Sequence, residues 1–173
     1  MITIRNATFE TNSSSCHTVT IGSNVAADQP EGTVLDVRAT GEYGWEQDCY
    51  SDPISLMDYA AVAYCETLHS SEKIEEYKEE LEGVKHEISR YFASRGVTVN
   101  WHDDEDGRRD HIYYDAHHYF GNMFCEGYID HQSAPSEDTD SACVAAMFRS
   151  DPEALYNFVY GGDSSVETDN DNH

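Results

Sequence analysis

Apolar residues recur through the middle of the chain with the period of a helix. Between 74 and 91 they fall at Ile74, Tyr77, Leu81, Val84, Ile88 and Tyr91. That alternating 3-4 spacing lays them along one stripe of an α-helix. The spacing predicts a helix over 72–94, with Gly96 as its C-terminal stop. An earlier helix is expected from Asp52-Pro53, a cap followed by proline in the first turn, to about Leu68. Its apolar face is read as Leu56, Tyr59, Ala60, Ala63 and Tyr64. Ser70 and Ser71 separate the two helices, which are expected to form a hairpin against a sheet. The second stripe is barely three heptads long, so a dimerising coiled coil, and with it an oligomer, is a secondary alternative.

Shorter alternating runs mark strands. Residues 1–8 and 17–22 read as a strand pair, 32–38 as a third strand and 97–101 as a fourth. The stretch 41–52 reads as a loop in which Tyr43, Trp45 and Tyr50 pack. Residues 111–133 are dense in aromatic and histidine side chains, which predicts burial. A short helix is expected over 141–149. Ser150-Asp151-Pro152-Glu153 then has the pattern of a capping box opening a second one, with Leu155, Phe158 and Val159 inward and Gly161-Gly162 at its end. Residues 164–168 suit a last strand, and 169–173 a frayed tail. The expectation is one α+β domain over 1–173, with a mixed or antiparallel sheet, a central helical hairpin and short C-terminal helices.

Charge changes the picture most. The formal net charge is −24, and lysine occurs only at Lys73, Lys78 and Lys85. The acid is spread along the whole chain, which fits a halophilic-like surface that stays dissolved in concentrated salt. It also fits recognition of a basic host protein, with the chain standing in for nucleic acid, or plain solubility. Direct nucleic-acid binding is disfavoured, because the one basic pair is Arg108-Arg109. No run of 18 apolar residues suggests a membrane span, and no basic segment followed by an apolar core suggests a secretory signal. The five cysteines contain no C-x-x-C pair, so a reduced, cytoplasmic chain is expected. Cys65 and Cys143 are read as small buried residues.

Three polar clusters carry the candidate chemistry: Asn12-Ser13-Ser14-Ser15 with His17, Asp130-His131-Gln132-Ser133, and Asn170-Asp171-Asn172. If they converge, Asp130 could orient the imidazole of His131 or His17, which could then deprotonate Ser14 or a water. No serine has the G-x-S-x-G surroundings of a nucleophile elbow. A divalent metal on His17, Asp130, His131 and one of His117 or His118 is a second option. The H-E-x-x-H spacing is missing, so no metal ligand is assigned and the cofactor is left unknown. The acidic turn 102–107 lacks the alternating ligands of a calcium loop. A third option is a nest of backbone N–H groups and hydroxyls over Asn12–Ser15 holding a phosphate or carboxylate, with Arg5 or Arg38 as companion. The same residues are also ordinary turn formers.

Taken together, F-E-T-N-S-S-S-x-H at 9–17, D-H-Q-S at 130–133 and N-D-N at 170–172 resemble an uncharacterised family of phage and prophage proteins. The family pattern has Gly where Asp169 stands here and Ser where Thr18 stands. The resemblance covers both ends of the chain, leaves the helical middle out, and implies a viral origin and a shared polar site without an activity. The expected function is that of a small acidic viral accessory protein in the host cytoplasm. Its pocket would bind or modify a small molecule or a host protein, and whether it catalyses a reaction is left open. Ser14, His17, Asp130 and His131 are the catalytic candidates. Asn12, Ser13, Ser15, Gln132, Ser133, Asn170 and Asp171 are the binding candidates. The rival expectation is a non-catalytic acidic inhibitor of a basic host protein.

Overall fold

The computed structural model describes residues 2–3, 15–44, 47–68, 74–102, 127–129, 135 and 139–170. These form an α+β fold with mixed strand pairing. Strands β1 (Ile2–Thr3), β2 (Ser15–Ile21), β8 (Ser165–Asn170) and β5 (Asp48–Tyr50) make an antiparallel sheet in the order β1-β2-β8-β5. Two parallel pairs complete the strands: β3 (Thr33–Val37) with β6 (Val97–Trp101), and β4 (Glu42–Tyr43) with β7 (Tyr128–Ile129). Helices α1 (Pro53–Leu68) and α2 (Ile74–Ser94) form the crossover from β3 to β6. Helices α3 (Asp140–Ser150) and α4 (Pro152–Tyr160) precede β8.

Several expectations need correcting. The stretch 41–52 is more than a loop, since it carries β4 and β5; strands of two and three residues are too short for alternation to show. Ser15, Cys16 and His17 lie within β2, so the polar block runs into a strand. The last strand continues through Asp169 to Asn170 and is hydrogen-bonded there, so these two residues are not frayed. The cap of α4 is Asp151, whose carboxylate accepts from Ala154 N–H at 2.9 Å, with Pro152 following. Ser150 instead closes α3, its hydroxyl donating to the Ala146 carbonyl. Cys143 is exposed, because α3 turns Asp140, Ser141, Val144, Ala145 and Phe148 inward.

Helix α1 is the axis of the core. Every residue from Leu56 to Cys65 is buried, where the sequence pattern suggested a single apolar face. It packs chiefly on α3 and also touches α4, β3 and β7, so it is covered on all sides. Helix α2 keeps the one-sided burial its spacing predicts, with Leu81, Ile88 and Phe92 inward against β6 and α4. From Leu81 onward its stripe is occupied by this chain itself. Gly96, at φ 86°, ends it as expected, in a left-handed conformation that costs glycine little.

One charge sits inside the buried run of α1. The Asp58 carboxylate accepts hydrogen bonds from four successive backbone N–H groups: Arg38 at 3.3 Å, Ala39 at 2.6 Å, Thr40 at 3.1 Å and Gly41 at 3.0 Å. The Tyr43 hydroxyl donates a fifth at 3.3 Å. Consecutive N–H groups converge on one anion only when the backbone curls into a nest, and Ala39 supplies the curl with φ 49°. A side chain in the left-handed region costs about 1 kcal/mol, which charge-assisted hydrogen bonds of about 1.5–3 kcal/mol each readily offset. The turn also receives β7, since Gly127 N–H donates to the Ala39 carbonyl and Tyr128 N–H to that of Gly41. A side chain at Gly127 would run into Val62 and the carbonyl oxygens of Gly41 and Ala39.

Removing this acceptor orphans four backbone donors. Asp58→Ala is expected to cost about 3–5 kcal/mol in urea unfolding, and Asp58→Asn, which keeps one acceptor oxygen, a smaller amount. A loss below about 1 kcal/mol for the alanine variant would show that water replaces the carboxylate easily.

Candidate functional site

The pairing of β2 with β8 brings strands from the two ends of the sequence side by side. Ser15 stands opposite Asn170, Cys16 opposite Asp169 and His17 opposite Thr168. Ser15, the last serine of the N-terminal polar block, and Asn170, the first residue of the N-D-N motif, therefore lie side by side at one end of the antiparallel sheet. Alternation along the strands then divides their residues between two faces. His17, Val19, Val166 and Thr168 are buried on the inner face, while Glu167 is exposed on the outer one.

A polar cluster occupies the inner face where β2, β8, α1 and α3 meet. The His17 imidazole is 8 % exposed and lies tilted against the Tyr59 ring, with centroids 6.3 Å apart. Ser141 from α3 lies near Tyr59, its hydroxyl donating to Thr139 Oγ1 at 3.1 Å, and burial together with the nearby Asp140 carboxylate pushes the Tyr59 phenol well above the usual range. Asp140, the first residue of α3, accepts a long hydrogen bond of 3.5 Å from Val19 N–H. Burial raises its carboxyl above the ordinary aspartate range, against the opposing effect of that hydrogen bond.

A chain of rings links this cluster to the Asp58 turn. Tyr59 makes an edge contact with Tyr43 at 4.9 Å, and Tyr43 another with Tyr50 at 5.1 Å. Tyr43 is the backbone partner of Ile129, the residue before Asp130. Two ring contacts thus separate His17 from the strand position that leads into the D-H-Q-S motif.

The outer face is different in kind. An open groove of about 480 Å³ is lined by Thr18, Gln47, Asp48, Cys49, Glu167, Thr168 and Asp169, so its lining residues include three acids and no basic one. Among the described residues, no three histidine, cysteine or acidic side chains are grouped to hold a metal ion.

Of the residues singled out from the sequence, His17 is placed with its side chain, and Ser15 and Asn170 by their strand positions. Asn12, Ser13, Ser14, Asp130, His131, Gln132, Ser133 and Asp171 lie outside the described residues, as do His117 and His118. Sequence reasoning missed Tyr59, Asp140, Ser141 and Thr168. Tyr59 counted only as a helix-face residue, and Asp140 was indistinguishable from the chain's many other acids.

A carboxyl raised by burial opposes folding whenever it is ionised. Its favourable contribution is present below the usual aspartate range and is lost as pH rises through its folded value. Asp140→Asn, which removes the charge and keeps an acceptor for Val19 N–H, should therefore melt higher than the unaltered protein at neutral pH. The gap should close in acid, where Asp140 is protonated in both folded and unfolded chains. A lower melting temperature at neutral pH would mean that the carboxylate is compensated after all.

No helix among the described residues is long and apolar enough to cross a membrane. Comparison with protein-family models, with curated proteins and with solved structures finds no match.

Proposed function

We propose that this chain is a small accessory protein of phage or prophage type that binds or modifies a small molecule or a host protein at the open end of the β2–β8 pair. In this reading His17 is the proton acceptor. Ser14 is a hydroxyl nucleophile or donor, and Asp130 and His131 supply an orienting carboxylate and a second imidazole. Asn12, Ser13, Ser15, Gln132, Ser133, Asn170 and Asp171 furnish hydrogen-bonding groups around the bound molecule. The observation that carries the proposal is the register itself. Ser15 is paired with Asn170 across the sheet, which supports a ligand site drawing on both terminal strands, and His17 beside them is largely shielded from water.

Two chromogenic probes test it, p-nitrophenyl acetate for acyl transfer and bis-p-nitrophenyl phosphate for phosphoester hydrolysis, together with thermal shift in the presence of inorganic phosphate. Ser14→Ala, His17→Gln and His131→Ala are each expected to remove the response, with turnover falling about a hundredfold or more, while the urea midpoint barely changes. Three variants that only lose stability would replace the pocket with a structural hydrogen-bond network.

The outer groove favours a second reading, in which the protein is a non-catalytic acidic ligand of a basic host factor. Asp48, Glu167 and Asp169 there present negative charge without a pairing cation in the groove lining. Replacing all three by lysine should abolish capture of a basic partner. Capture by the unaltered protein should weaken steeply between about 0.05 M and about 0.5 M salt, as screening shortens. Capture insensitive to both changes would remove this reading. Adaptation to salt is a separate matter, and it requires the fold to melt lower as salt is withdrawn.

A further inference from the structure

A buried carboxylate with no cation beside it is expensive. Asp140 is 7 % exposed, and among the described residues no lysine or arginine acts on it. Its Val19 N–H contact is long, and Val19 is already held in the sheet opposite Val166. The position does little for stability that asparagine could not do, and a buried carboxylate held on such terms is a candidate functional group.

Among the described residues, the base that strand β2 carries toward Asp140 is His17. It lies two residues before Val19 on the same face of β2, about 7 Å along the strand. Tyr59 from α1 touches the His17 ring and feels the Asp140 carboxylate. Among the described residues, Thr168 from β8 and Ser141 from α3 are also buried here, and both are neutral. Tyr43 and Asp58 stand behind Tyr59, with Asp58 committed to the 38–41 turn. Glu167 and Asp169 sit beyond the strand, against the outer groove.

We propose that Asp140 is a positioning residue for His17, its carboxylate favouring the imidazolium that forms when His17 takes a proton, with Tyr59 fixing the ring between them. This inference rests on the reading of His17 as the proton acceptor of the site. In that step a proton leaves a hydroxyl of the bound molecule, or a water, and moves to the imidazole. Asp140 stays ionised and stabilises the resulting cation, as an orienting carboxylate does in other imidazole-dependent sites. Placing it on α3 rather than on the strand couples the entry of that helix to the charge on the base.

The test is an NMR titration of the His17 ring, assigned by its loss in His17→Gln, and it needs no ligand. Asp140→Asn should lower the imidazole midpoint by about half a pH unit or more, the effect of removing one charge at this distance from a partly screened site. Tyr59→Phe should shift it less. If Asp140→Asn does not fold, the unaltered protein still decides, because its His17 signals should carry a second, smaller step where Asp140 titrates. An unmoved midpoint in a folded Asp140→Asn, or a single-step titration in the unaltered protein, overturns the proposal. A linked His17–Asp140 titration alongside complete inertness toward both chromogenic probes and phosphate would leave this pairing standing and remove the ligand site it was inferred to serve.

Discussion

The Asp58 carboxylate is the constraint that ties helix α1 to the turn between β3 and β4. A charge within the buried 56–65 run of helix α1 must find donors locally, and the donors it finds are the main-chain N–H groups of 38–41. Those residues join β3, paired with β6, to β4, paired with β7. One carboxylate thereby sets the geometry between two parallel pairs and the helix that packs on them. The left-handed Ala39 conformation is tolerable only because the surrounding hydrogen bonds over-determine it. The same turn receives Gly127, so the clasp also fixes where the chain re-enters the described fold before the D-H-Q-S motif.

Periodicity disclosed what depends on a repeating pattern. The inward stripe of α2, the start of α1 at Asp52-Pro53 and the stop at Gly96 were all legible, because local sterics and caps decide them. The central position of α1 was harder to see, since alanines and tyrosines on every side resemble a loosely amphipathic helix until their covering elements are known. Its signal was present: apart from Asp58, residues 56–65 contain no charge, which suits a helix surrounded by protein. Strands β4 and β5 left no trace, because so few residues cannot show alternation and their pairing comes from distant segments.

The site was legible to a similar, partial degree. Small polar residues at 12–17 and again from 170 suggested a meeting of the two ends, and the β2–β8 register joins Ser15 to Asn170. Nothing local announced Tyr59 or Asp140, which reach His17 through tertiary packing alone. The two faces of these strands also differ in solvation. The inner face holds its polar groups in a poorly solvated space where a single charge acts strongly. The outer face gathers carboxylates in an open groove, where water and salt weaken them.

The placement of β8 has a consequence for how the chain folds. It comes last among the described elements, yet it lies inside the sheet, between β2 and β5. Its partners are separated from it by most of the sequence, so their edges stay unsatisfied until the final strand docks. Such long-range closure slows folding and exposes pairing-competent backbone in the meantime. A surface as negatively charged as this one would then serve as a kinetic safeguard, keeping half-assembled chains apart while they wait for their last strand.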